Sequence, residues 1–155
     1  MSKRFQNLDA IKSEDYLTRF EVYKLGHSAM DEAHRNLIRD TELICRLVTK
    51  QDMLGVVEAM RELEVSLSEH FRNEEKLMDE EHYPFSEWHK TIHAAIEKDF
   101  KSALGSYMAA SNKFAAEFAF ASALEAYIFK HIDEQDRQFV EFLDKKPTTS
   151  KDTTI

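Results

Sequence analysis

The chain has 155 residues, 43% of them apolar and 32% charged, with three Gly, two Pro and one Cys. This is enough for one globular domain with its own core, and too few turn formers for most all-β architectures. A formal net charge of −8 excludes the basic stripe that nucleic acid or an anionic membrane surface requires, and a single thiol excludes an internal disulfide.

Residues 1–27 mix Lys3, Arg4, Asp9, Lys12 and Glu14 without an apolar run and are expected to form an irregular N-terminal arm. No signal-peptide core and no span of ~20 apolar residues occurs. A cytoplasmic location is therefore expected, with no membrane insertion and no nucleic-acid partner. A first helix is predicted from Ser28, where Ser28-Ala29-Met30-Asp31 has capping-box form, to about Lys50. Its inner face carries His34, Leu37, Thr41, Ile44 and Val48, with Cys45 beside them as a buried structural thiol.

The second helix starts near Asp52, a favourable N-cap. It places Val56, Met60, Leu63, Leu67, His70, Glu74 and Leu77 at alternating spacings of four and three. That is a core seam in which two positions hold polar groups. Glu81-His82-Tyr83-Pro84 reads as the next turn, since Pro is tolerated in a first helical turn. The third helix directs Phe85, His89, Ile92, Ile96, Phe100, Ala103 and Tyr107 to one face, and its pattern weakens between Gly105 and Asn112. The fourth runs from about Ser111 to Leu143, with Phe114, Phe118, Ala121, Leu124, Ile128, His131, Phe139 and Phe142 inward. Residues 146–155 are polar, contain Pro147 and are expected to be a disordered tail.

The predicted fold is all-α. It is an up-down-up-down antiparallel four-helix bundle over 28–143, within a single domain of residues 1–145. Five of the seven histidines fall on the inward faces, in four clusters: His34; His70 with Glu74; His89 with His93; His131 with Asp136. Residues four apart on a helix have Cβ atoms roughly 5–6 Å from each other, so the second and third clusters each aim at one point. His131 and Asp136 are five apart, about 140° around a regular helix. A buried carboxylate or imidazole without a partner is costly, and metal coordination satisfies both together. Five imidazoles and two carboxylates exceed the needs of one ion and suit a pair sharing the carboxylates. Ligand type alone leaves Fe, Zn, Cu and Ni open. His27 and His82 lie outside these clusters and are assigned to the surface.

The stretches Leu25-Gly26 with Met30-Asp31-Glu32-Ala33-His34, His70-Phe71-Arg72-Asn73-Glu74-Glu75, Tyr83-Pro84, His89-Lys90-Thr91-Ile92-His93, and His131-Ile132 leading to Asp136 resemble the hemerythrin family in its bacterial single-domain form. The resemblance covers residues 20 to 143. It implies a non-haem, oxo- or hydroxo-bridged centre of two Fe ions. His89, His93 and His131 would serve one iron and His34 and His70 the other, with Glu74 and Asp136 bridging. One iron would keep an open position for dioxygen, in a pocket where Leu37 and Ile128 correspond to pocket residues. Three positions depart from the family's usual residues: Ala33 replaces a Gln, Tyr127 replaces a Trp four residues before the last His, and residues near Phe20 replace an N-terminal Trp.

The function implied by the resemblance is reversible dioxygen binding by a carrier or store that is not an enzyme. The alternative is an oxygen, nitric oxide or redox sensor, or an interaction module, using the same di-iron site.

Overall fold

The computed structural model describes residues 21–109 and 126–146. The arm up to residue 20, the tail from residue 147, and the predicted inward positions Phe114, Phe118, Ala121 and Leu124 lie outside the described residues. Residues 21–23 are helical, and 24–27 form an irregular turn into helix α1, Ser28–Thr49. α2 spans Met53–Glu80 and α3 Ser86–Ala109. A π-helical segment, Ala126–Asp136, runs directly into α4, Arg137–Lys145, and the two form the fourth long element. α1 packs on α2 and α2 on α3 through short connections, which makes neighbours antiparallel. No strand occurs among the described residues, and none of their helices is long and apolar enough to cross a membrane.

The start of α1 differs from the predicted capping box. Ser28 is already helical, and the N-cap is His27, which makes no side-chain capping bond. Gly26 adopts φ +90, a conformation that L side chains rarely adopt. This turns the backbone so that the Asp31 carboxylate accepts from Leu25 N at 2.7 Å and Gly26 N at 3.0 Å. Asp31 therefore ties down the preceding turn instead of completing a box. At α2 the predicted cap holds: Asp52 accepts from Gly55 N at 3.0 Å. A Cβ at Gly55 would lie 2.6 Å from the Asp52 carboxylate, so the glycine leaves room for the cap.

The seam predicted for α2 is buried from Val56 to Glu74, with Leu77 half-buried. Leu37 and Ile44 on α1 are buried, whereas Thr41, Cys45 and Val48 are only half-buried. Thr41 gives its hydroxyl to the Leu37 carbonyl at 2.8 Å. The expected burial of Cys45 is thus corrected: it lies one position past the innermost Ile44 and turns toward the helix flank. On α3 the inward face is His89, His93, Phe100, Ala103 and Tyr107. Phe85, predicted inward, precedes the first turn of α3 and is 59% exposed, because Tyr83 takes the core position instead.

Two apolar clusters result. One gathers Leu37, Leu63, Leu67, Phe71, Tyr127 and Ile132 with their neighbours. The other gathers Met30, Met78, Tyr83, Phe139 and Val140. In sequence His34 and Glu74 fall between residues of the two clusters, as do His89 and His93 between Tyr83 and Phe100, while His70 sits at the end of the first cluster beside Phe71; a polar layer thus meets a dry one on either side. The chain is clasped at the outer end, where Lys146 reaches the Glu81 carbonyl and its carboxylate, the latter at 2.6 Å.

Candidate metal centre

All seven predicted polar residues meet in this layer. His34, His70, Glu74, His89, His93, His131 and Asp136 are each no more than 6% exposed. α1 supplies His34, α2 supplies His70 and Glu74, α3 supplies His89 and His93, and the π segment supplies His131 and Asp136. The π segment explains the five-residue spacing of the last pair. In a regular helix these residues diverge, whereas hydrogen bonding from i to i+5 widens the turn and aligns them.

The donor atoms form two unequal groups. Glu74, His89, His93, His131 and Asp136 each offer one ligand atom to the first, and His34, His70 and Asp136 to the second; within each group all atoms lie within 4.8 Å of one another. In the first, His131 Nε2 is 3.0 Å from His93 Nε2 and 3.3 Å from His89 Nε2. Asp136 Oδ1 sits 3.0 Å from His131 Nε2 and 3.1 Å from His89 Nε2. In the second, His34 Nε2 is 3.2 Å from His70 Nε2 and 3.1 Å from Asp136 Oδ2. Asp136 thus turns one oxygen to each group. Glu74 Oε2 lies between them, 3.4 Å from His93 Nε2 and 3.7 Å from His70 Nε2.

These separations fit metal ligation better than hydrogen bonding. Three imidazole nitrogens facing one another cannot all be satisfied by protons, since a neutral ring has one donor and one acceptor. Both oxygens of Glu74 and Oδ2 of Asp136 have no hydrogen-bond partner although nitrogens lie nearby, so those contacts are misaligned for hydrogen bonds. A first-row divalent ion holds N and O ligands at about 2.0–2.2 Å. Adjacent octahedral ligands then stand roughly 3 Å apart, close to the short separations found here.

The charges agree. His70 is lowered to about 3, first by burial and then by His34. His93 is lowered to about 2, first by burial and then by His131 and His89. Both are therefore neutral ligands at pH 7. Burial, followed by the neighbouring Asp136 carboxylate, pushes Glu74 well up. Burial also works against ionisation of Asp136, but His131 first, and then the close imidazoles of His34 and His89, hold it well down. Such opposed carboxylates are what cations would bring back to a common ionised state.

Three residues that sequence reasoning did not assign also belong to the site. The His93 Nδ1–H donates to Glu75 Oε1 at 2.8 Å, which leaves Nε2 as the lone pair facing the centre. Phe71 stacks on His93 with ring centroids 3.8 Å apart and lies 5.7 Å from both His70 and His131. Tyr127 runs nearly parallel to His131, 5.9 Å away. Burial, then the Asp136 and Glu74 carboxylates, push its phenol well up. Of the two predicted pocket residues, Leu37 is buried in the adjoining apolar cluster, and the Ile128 side chain is outside the described residues. His27 is half-buried at the start of α1 and His82 is exposed in the turn, both away from the centre.

The model of the hemerythrin HHE cation binding domain matches residues 25–143. The chain belongs to the hemerythrin family. Membership implies a di-iron centre, and the buried donor set fits two ions. Similar proteins include the bacteriohemerythrin of Aquifex aeolicus, 35% identical over 81 residues, which are 52% of this chain and 62% of that protein. The bacteriohemerythrins of two Campylobacter jejuni strains are each 23% identical over 129 residues, 81% of this chain and 94% of theirs. No solved structure matches the chain.

Proposed function

We propose that this hemerythrin-family chain binds dioxygen reversibly at a di-iron centre and acts as a binding protein, a carrier or store, rather than as an enzyme. The observation that carries this is the inequality of the two donor groups. His89, His93 and His131, with Glu74 and Asp136, would nearly fill the ligand set of one ion. His34 and His70, with Asp136, would offer a second ion fewer donors and so leave it an exchangeable position.

The iron pair, when bound, supplies two reducing equivalents and one exchangeable coordination position. The surrounding side chains govern how that chemistry is used. Asp136 and Glu74 would hold the ions together and balance their charge, while Glu75 orients His93 through its Nδ1–H. Phe71 packs against His70, His93 and His131, and with Leu37, Leu67 and Ile132 of the same apolar cluster it would keep water from the centre. Di-iron oxygenases of ferritin-like type use four carboxylates. Five imidazoles with only two carboxylates would donate less charge to the metals, which favours release of the ligand intact.

The test combines iron content with visible absorption of the reduced protein, before air, after air and after deoxygenation. Two irons per chain and an air-induced band that disappears on deoxygenation are expected. Oxygen consumed in proportion to protein, with a band that does not reverse, would overturn reversible binding.

A further inference from the structure

We propose that the Tyr127 hydroxyl is the hydrogen-bond donor of the ligand pocket, holding a small anionic ligand at the open coordination position; this rests on the function proposed above. Eight buried side-chain atoms among the described residues have no hydrogen-bond partner. Six belong to His34, Glu74, His89, His131 and Asp136: the three carboxylate oxygens face the donor cluster itself, and the other three are Nδ1 atoms of rings whose Nε2 faces it. His27 Nδ1 lies at the start of α1, away from the centre. The remaining atom is Tyr127 Oη.

Tyr127 is 2% exposed, so bulk water does not satisfy its hydroxyl, and an unpaired buried hydroxyl is costly to a fold. Its ring lies along His131, and the edge of Phe71 meets it at 5.5 Å and 78°. Phe71 in turn reaches His70, a member of the less complete donor group. No group among the described residues accepts from it. A ligand that carries an acceptor would complete this hydroxyl. A phenol keeps its proton at neutral pH, and its hydrogen bond is strongest to an acceptor bearing negative charge. The class of ligand is thus a small anion, or a molecule that gains anionic character on binding.

Azide is the probe. The oxidised, iron-loaded protein is titrated with sodium azide, and its affinity is compared with that of Tyr127→Phe, which removes one oxygen and keeps the ring. The variant is expected to bind azide about tenfold more weakly, or about 1.4 kcal/mol. Its iron-free form is expected to melt at the same or a higher temperature, because no bond is lost there. The infrared azide band should shift between H2O and D2O in the parent protein and not in the variant. Equal azide affinities, a shift that survives in Tyr127→Phe, or a lowered melting temperature of the iron-free variant would each overturn the assignment of Tyr127. If the variant does not fold, the absence of an isotope shift in the parent would overturn it as well. Failure of the parent to bind azide at all would overturn the open position, and the inference with it.

Discussion

Removing the Glu75 carboxylate should loosen iron although Glu75 itself faces away from the metals. Its Oε1 accepts the Nδ1–H of His93 at 2.8 Å, so it fixes both the tautomer and the ring angle of one imidazole. Partners of this kind are worth about 10- to 100-fold in metal affinity, or about 1.4–2.8 kcal/mol. The Glu75 side chain is 29% exposed, and solvent screens part of its charge. In Glu75→Gln the amide oxygen can still accept the proton, so only charge is lost, and a weakening near tenfold is expected. In Glu75→Ala the imidazole loses orientation too and should approach the upper figure. The assay is the rate and extent of iron loss to a ferrous chelator, with iron counted per chain. Wild-type iron retention in Glu75→Ala would refute the role given to this contact.

Three other perturbations test the centre and its frame. His34→Ala should fall towards one iron per chain while the five-donor group stays filled, whereas His89→Ala should deplete that group; loss of both irons from His34→Ala would show that the positions fill only together. The iron-free protein should be acid-sensitive: His70 and His93, at about 3 and about 2 when folded, reach 6.5 when unfolded, so the unfolded chain binds more protons below pH 6.5. Together they remove about 4 kcal/mol by pH 5, part of it offset by Glu74, whose raised value means that folding takes up a proton. Denaturant midpoints at pH 7 and pH 5 measure this, and equal midpoints would contradict the burial of neutral imidazoles. Asp31→Ala leaves the Leu25 and Gly26 amides without their acceptor and should destabilise by about 2 kcal/mol, read as a lower urea midpoint at unchanged slope with iron content retained.

The polar layer was legible because spacing by three and four marks one side of a helix, and His70 and Glu74 interrupt an otherwise apolar seam. Asp136 was visible only as a candidate, since its distance from His131 misaligns the two in a regular helix. The wider turn of the π segment is set by packing, and no residue pattern announces it. Glu75 escaped because it occupies the flank of α2, where a carboxylate ordinarily faces water; its partner lies on another helix. The start of α1 was misjudged for a similar reason: Ser28 and Asp31 have the spacing of a cap, but Gly26 bends the preceding amides onto Asp31 first. Phe85 shows that a period alone does not decide which of two adjacent aromatic residues enters the core. Tyr83 fills that position, and Phe85 is left outside.

The seven buried groups come from all four long elements, with no more than 6% exposure at any of them. With every one of these donors so deeply buried, the departure of an ion from them calls for helices to separate. Iron release is then gated by a conformational event: its rate cannot exceed the opening rate of the bundle, and below that limit it follows how firmly the ligands hold. Amide exchange in the middle turns of α1, α2, α3 and the π segment should slow together on loading, as one unit, and iron loss should be no faster than that unit opens.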